Sequence, residues 1–562
     1  MGKLGMSPIV GLVLMLVITL AFGAFITHPE IIEKFSKSAP YAMLELDTEV
    51  NNNSIILLIK NKGGDQLNLD EISVLVSNGK SEKHTYPFLY DKDGILSVSE
   101  EIGVPLQMSV SKGEILKVKV VHEPSGLVIF EGRVVVGGDV KVTQTPVPPN
   151  SSYLVFNINK NKWYETIGDA IKDADNGDRI LVYPNYDKSE NIIINKNLII
   201  EAVEIGKAKI DGYVLIKSDD VTLKGFEIKD NIYIYGDNCE LSYNTIENYV
   251  YVYKVKDAKI LHNTIKAHRF GIRVFICSNI EINSNSISGS FYGIYIYRSN
   301  TITVTSNKII DVVYGVIAFR TPDLSIEHNN IKSSYRGIAI EWCDNAKIKD
   351  NDVHSRYYSI TIYSSNNNKI EGNKLKSDIR YQLHAVKSRA IYVESNKIEG
   401  GRGLYCYECM DSAFSGNNIE HSKYGVYLYG GENNTIIGNQ INGTSRGVLL
   451  ERAKDCIVTK NKIINSISYS IFLRSSENNL IYDNVFNSNR NVYISGNYYN
   501  TWNVTKQSGT NILGGNYIGG NAWLKPDGSG YSQVCSDRDR DGICDEPYKI
   551  NSQNIDYLPL KY

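Results

Sequence analysis

The sequence predicts a mostly β protein: an N-terminal hydrophobic α-helix, a small antiparallel β-sandwich, a long right-handed parallel β-helix and a small C-terminal cap. Three observations predict it. An Asn-x-(Ile/Val/Leu/Phe) step recurs at Asn244, Asn263, Asn285, Asn307, Asn329, Asn351, Asn373, Asn396, Asn417, Asn439, Asn461 and Asn484, at intervals of 19 to 23 residues. Gly follows eight residues later at Gly271, Gly293, Gly315, Gly337, Gly425 and Gly447, and alternation then resumes as in GIYIY. Tyr outnumbers Phe by 39 to 14, which suits half-buried β surface where the ring packs and the hydroxyl stays wet. A chain of 562 residues exceeds one compact core, and 42% hydrophobic content excludes global disorder. The net charge of -2 argues against a nucleic-acid partner held by bulk positive charge.

The elements follow in chain order. Residues 6–27, MSPIVGLVLMLVITLAFGAFIT, are uncharged and reach roughly 33 Å as a helix, enough to cross a hydrocarbon core. Read alone, they are an uncleaved membrane anchor. On Ser7-Pro8-Ile9-Val10-Gly11 and Gly23-Ala24-Phe25 the segment resembles the N-terminus of archaeal type IV pilins. That resemblance implies a prepeptide 1–5 cut between Gly5 and Met6, a location at the cell membrane facing outward, and pilin-like subunits as partners. The glutamate near the mature start of bacterial pilins is missing. Residues 28–138 alternate apolar and polar residues around Gly-Gly-Asp and Glu-Pro-Ser-Gly turns, which predicts an antiparallel sandwich like the heads of archaeal pilin-like proteins. Residues 139–152, rich in Pro, Thr and Ser, read as a linker.

Residues 153–500 hold the repeat. No single unit buries its own apolar face, so the units must stack, one coil per roughly 22 residues and about 4.8 Å apart. Twelve Asn steps predict about 12 coils with the Asn side chains laddered inside. Ile167, Ala170, Ile171 and Ala174 recur at helical spacing and predict a short helix capping the first coil. The D-A-I-x-x-A-x-x-G-D step around it resembles the entry of the pectin-lyase-like superfamily, and the coils resemble NosD, a periplasmic copper-maturation β-helix family. The resemblance implies the fold; enzymes and binding proteins share it.

Candidate sites are unequal. In the 501–562 cap, Asp537, Asp539, Asp541 and Asp545 stand at positions 1, 3, 5 and 9 of an EF-hand-type loop with Gly542 at position 6. That order predicts Ca²⁺, although Tyr548 replaces the bidentate Glu at position 12. A solvated acidic turn is the plainer alternative. Cys535 and Cys544 flank the loop and would close it as a disulfide in an oxidising exterior. The residue before each Gly gives a stripe of Phe270, Tyr292, Tyr314, Arg336, Tyr358, Arg380, Tyr424 and Arg446. Aromatic and Arg side chains at coil spacing suit a glycan ligand; equally, they stack on each other as a structural ladder. Catalysis has weaker candidates in Glu341, Asp344, His354 and Arg356, within about one coil, joined by Arg380 and His384. Copper has little to hold it: 6 Met, 9 His with no close pair, and one C-x-x-C at Cys406 and Cys409. Cys277, Cys343 and Cys409 share a repeat position and read as core fillers. No organic cofactor is implied. The expected function is a membrane-anchored or pilus-associated surface protein presenting a glycan-binding, adhesive face. The alternative is a membrane-tethered polysaccharide lyase, epimerase or hydrolase. Sequons at Asn52, Asn150, Asn433, Asn442 and Asn503 fit the exterior location.

Overall fold

The computed structural model of the chain describes most of residues 42–136, Pro148 and residues 151–562. The chain divides into two units, with the boundary between Val147 and Pro148. Segment 6–27, together with Gly5 and Met6, lies outside the described residues. Among those described, no helix is long and apolar enough to cross a membrane.

In the first unit, strands Ala42–Asn51, Ser54–Gly64 and Glu101–Leu106 form one antiparallel sheet. Strands Glu82–Thr85, Ile72–Ser77, Ile115–His122 and Leu127–Val135 form another. Alternation along each strand sends Leu57, Val104, Val74, Val76 and Val118 into one shared core. The result is a small sandwich.

The second unit is a parallel solenoid of about 14 turns. Each turn gives one strand to a 17-stranded sheet and two short strands to a 29-stranded one, and successive turns pair in register. Thus Ile260 pairs with Ile282, Ile282 with Val304 and Val304 with Ile326, keeping branched apolar side chains stacked inside. Counting Asn steps gives 12 coils because the turns before Asn244 use other residues: Gly225 stands where the next turn has Tyr243, before Asn244. One further Asn was hidden. Asn521, 37 residues after Asn484, continues the ladder past residue 500, since strand Ala522–Leu524 pairs in parallel with Val485–Asn487.

The Asn ladder shows why the period is strict. Asn285 Nδ2 donates to Ile260 O (2.8 Å), Asn283 O (3.1 Å) and Asn307 Oδ1 (3.0 Å), while its backbone N–H donates to the same Oδ1 (2.9 Å). Each ladder Asn bonds its amide to the next coil in this way, so the ladder's own buried amides are satisfied. The residue before each Asn sits at positive φ, as at His262, Ser284, Ser306 and His328. That conformation costs each of these about 1 kcal/mol, which the satisfied amide offsets. Gly315 has a different reason. A Cβ there would collide with Gly337 O and Ile331 Cγ2 of the next coil, so only Gly lets the corner close.

Both ends of the stack are covered. Helix Ile167–Asp173 buries Ile167, Ala170 and Ile171 against the first coils. Thr166 accepts from Asp169 N–H, and Glu190 accepts from Ile167 and Gly168 N–H, satisfying the first turn. At the other end Trp523 packs against Phe486, Trp502 and Tyr548.

Candidate functional site

The strands of the larger sheet turn alternate side chains outward, and coil-to-coil register arranges these into columns. The first column is the expected stripe: Phe270, Tyr292, Tyr314, Arg336 and Tyr358 pair in order, all half-buried. Arg380 is not in it. One extra residue in that coil moves Tyr381 into the position and leaves Arg380 exposed on the turn before it. The GIYIY alternation contains two more columns that a search for the residue before Gly passes over. The middle column runs Tyr251, Arg273, Tyr295, Ile317, Ala339, Thr361, His384, Tyr405 and Tyr427. The third runs Tyr253, Phe275, Tyr297, Phe319, Glu341 and Tyr363.

Most rings spend their faces on one another. Centroids lie 5.2 Å apart for Phe270 and Tyr292, 5.1 Å for Tyr292 and Tyr314, and 4.9 Å for Phe275 and Tyr297, all stacked. Their rims and hydroxyls face outward. The middle column breaks this pattern. At Ile317, Ala339 and Thr361 no ring fills the space, and a trough of about 120 Å³ opens between Tyr292, Tyr314, Phe319, Arg336, Glu341 and Tyr363.

Arg336 dominates the trough. Its guanidinium lies 5.3 Å from the Tyr335 ring centroid, 5.5 Å from that of Tyr363 and 5.8 Å from that of Tyr358. Its Nε is buried without a hydrogen-bond partner, as is the Oγ1 of Thr361. Arg273 and Arg446, also stacked against rings on this sheet, leave Nε unpaired in the same way, so the Arg336 and Thr361 groups do not by themselves single out the trough. Next to Arg336 stands His384, stacked on Tyr358, Tyr381 and Tyr405, with Nδ1 3.3 Å from the Tyr363 hydroxyl. Burial, reinforced by Arg336 and Arg380, pushes its pKa down to about 4, so the imidazole is neutral at ordinary pH.

The four catalytic candidates do not form one site. Glu341 lines the trough. Asp344 accepts from the Asn366 backbone N–H at the next turn. His354 and Arg356 line a separate hollow, where His354 Nε2 lies 3.0 Å from Asp378 Oδ1. Proximity in sequence within one coil spreads residues around its perimeter, and that separates them.

In the cap loop Asp537, Asp539 and Asp541 bring carboxylate oxygens within 4.8 Å of one another, the only such group of three among the described residues. Gly542, at φ 84, makes the turn. Asp545 does not join: it pairs with Arg538 at 3.6 Å, because that cation lies inside the loop. Lys506 also pairs with Asp541. Three carboxylates converging at the loop's first, third and fifth positions fit a hard cation. Cys535 and Cys544 form a disulfide. So do Cys406 and Cys409, whose Cα atoms lie 5.8 Å apart; Cys409 fills the core and is paired there as well. Cys277 and Cys343 are buried free thiols.

The solenoid and its columns define a right-handed β-helix repeat protein. Residues 342–528 match the family model of the periplasmic copper-binding protein NosD, and residues 248–398 match that of the right-handed β-helix region. No curated protein matches the chain. Among solved structures, a periplasmic alginate epimerase is 12% identical at a TM-score of 0.34, covering 58% of this chain and 85% of its own. An α-1,3-glucanase from Streptomyces thermodiastaticus is 12% identical at 0.36, covering 83% and 96%. PfbA, a surface adhesin of Streptococcus pneumoniae, is 12% identical at 0.31, covering 64% and 95%.

Proposed function

We propose that the chain is an exported surface protein whose β-helix binds glycan, in an adhesive role. The trough supports this reading above all. It is ring-sized, walled by Tyr292, Tyr314 and Tyr363, and lined by Arg336 and Glu341, whose charged groups suit sugar hydroxyls. Tyr hydroxyl rims on either side extend a polar, rigid surface along the coils. The pilin-like N-terminus would hold it at the membrane or in a pilus, and N-terminal sequencing of native protein should then begin at Met6. Glycan-array binding tests the main claim. Ala339→Trp, which fills the trough, should abolish binding without lowering the melting temperature; unchanged binding would refute the site.

One observation favours an enzyme at the same place. Neutral His384, in reach of the Tyr363 hydroxyl and beside Arg336, has the makings of a proton acceptor. New sugar ends released from a bound glycan and lost in His384→Ala would make the chain a lyase or hydrolase, and inversion at a sugar carbon with the chain length kept would make it an epimerase. Glycan that is bound and recovered with length and stereochemistry unchanged leaves adhesion.

The cap loop is assigned structural Ca²⁺ on Asp537, Asp539 and Asp541. An ion bound only by the folded cap stabilises it by about 2.7 kcal/mol at a hundredfold excess over Kd. Chelation should lower the melting temperature of native protein and leave Asp539→Ala unaffected. Identical melting of native protein with Ca²⁺ and with chelator would exclude it.

A further inference from the structure

A minority of the cations on the β-helix form ion pairs, several of them with an acid on a neighbouring turn: Lys347 pairs with Glu327, Lys374 with Asp352, Arg389 with Asp411 and Lys454 with Glu477. Of the cations without an ion pair, four share one place. Lys254, Lys256, Arg298 and Arg320 line a single open groove of about 560 Å³, and among the described residues none of the four side chains has an ion-pair partner. Asp257 and Asp323 bond instead to the neutral amides of Asn279 and Asn345, and Asp237 accepts from the Lys256 backbone N–H at 2.7 Å. The groove gathers four cations and no salt bridge.

Its geometry is ordered. Lys254, Ile276, Arg298 and Arg320 occupy the same left-handed position of successive coils, each donating its backbone N–H to the coil beyond. At about 4.8 Å per coil they span roughly 14 Å along the solenoid axis. Three of the charges are pinned over rings: Lys254 at 5.2 Å above Tyr253, Arg298 at 5.3 Å above Tyr297 and Arg320 at 5.3 Å above Trp342. A pinned cation loses less freedom on binding, and guanidinium groups match planar or tetrahedral oxyanions with paired hydrogen bonds. Ser278 and Asn300 supply further polar groups in the groove. Phe319, a wall of the trough, immediately precedes Arg320, so groove and trough border one another.

We propose that this groove binds an acidic polysaccharide, whose carboxylate or sulfate groups lie against Lys254, Arg298 and Arg320. It rests on the glycan reading and narrows it to an anionic class of polymer. One charge per sugar along an extended chain suits cations repeated at coil spacing, and the neighbouring rings favour a sugar backbone.

The test uses the full-length chain with polygalacturonate, dextran sulfate, neutral dextran and single-stranded DNA. Polygalacturonate or dextran sulfate should bind at low salt and weaken as salt rises, and comparing the two separates carboxylate from sulfate ester. Lys254→Gln/Arg298→Gln/Arg320→Gln should weaken that binding roughly tenfold with melting unchanged. Arg298→Lys/Arg320→Lys, which keeps the charge, should retain most of it. Equal binding by the triple Gln variant overturns the proposal, as does tighter binding of DNA through the same residues. Neutral polymer bound with no acidic polymer bound overturns the groove alone. Binding of no glycan by the protein, on an array or as polymer, overturns the glycan reading with it.

Discussion

The inside and the outside of this β-helix are both stacks repeated once per coil, yet they are finished differently. Inside, Asn307, Asn329 and Asn351 each close the same set of hydrogen bonds, and Ile or Val fills each layer between them. Outside, the columns of Tyr and Phe start in the same regular way and then break at Ile317, Ala339 and Thr361, beside an Arg336 Nε with no partner. The interior leaves few groups unmet, because an orphaned amide there has no water to turn to; Asn368 Nδ2 is an exception. The exterior can hold a gap, and the trough is one. Regularity marks what stabilises the fold, and its interruption marks where the two faces part.

Four substitutions or conditions sharpen that contrast. Asn329→Ala should have the largest effect, on the order of 4 kcal/mol, since it leaves the Asn307 N–H without its acceptor and removes the Nδ2 donor to Val304 O and Glu327 O; denaturant unfolding would show it. A loss under 1 kcal/mol would mean the ladder is not what holds the coils in register. Acid should act on the outside. His384 stays neutral in the folded chain down to about 4 but takes a proton near 6.5 when unfolded. Its stabilising contribution is full above about pH 6.5 and is lost as pH falls toward 4, by on the order of 3 kcal/mol. His384→Phe should flatten that part of the melting-versus-pH curve. Tyr295→Ala, on the rim, should cost about 1 kcal/mol, measured by thermal melting, because its ring is half-buried and one of many. Arg336→Met should be smallest, within about 0.5 kcal/mol of native or above it, since the change removes a buried group that has no partner. Glycan binding should nonetheless fall. A clear loss of stability in Arg336→Met would class that residue with the interior.

Much of this architecture could be read from the sequence, and the reasons it stopped short are physical. The coil period was legible because Asn, with its paired donor and acceptor, recurs once per turn over twelve turns, although the turns before Asn244 carry other residues there. The helix at Ile167 was legible from its apolar spacing. Asn521 was not, because a 20-residue excursion in the cap separates it from the strand it follows. The trough was invisible for another reason. It is made by side chains that are small, and Ala339 or Thr361 forms no motif until Tyr292 and Tyr363 are seen on either side. Grouping Glu341 with His354 failed because neighbours along a coil face different directions, while residues one coil apart in sequence touch. Lys254, Arg298 and Arg320 escaped notice for the converse reason: 66 residues of chain separate the first from the last, and only stacking makes them one surface.

The Asn ladder also has a direction. Every Nδ2 donates to the coil that follows, from Asn244 to Asn521, and the last link meets Asp556, whose Oδ2 accepts from the Asn521 N–H at 2.8 Å and from the Trp523 indole at 2.9 Å. An Asn has both a donor and an acceptor and asks for a successor; the Asp556 carboxyl, whose pKa burial raises to about 7, accepts from this coil and asks for none. Any interior coil can therefore be copied or deleted without inventing a new contact, provided the terminator stays last. Length in such a molecule is a number rather than a shape, and the extent of the coiled rod can be adjusted by duplication of a short stretch of sequence.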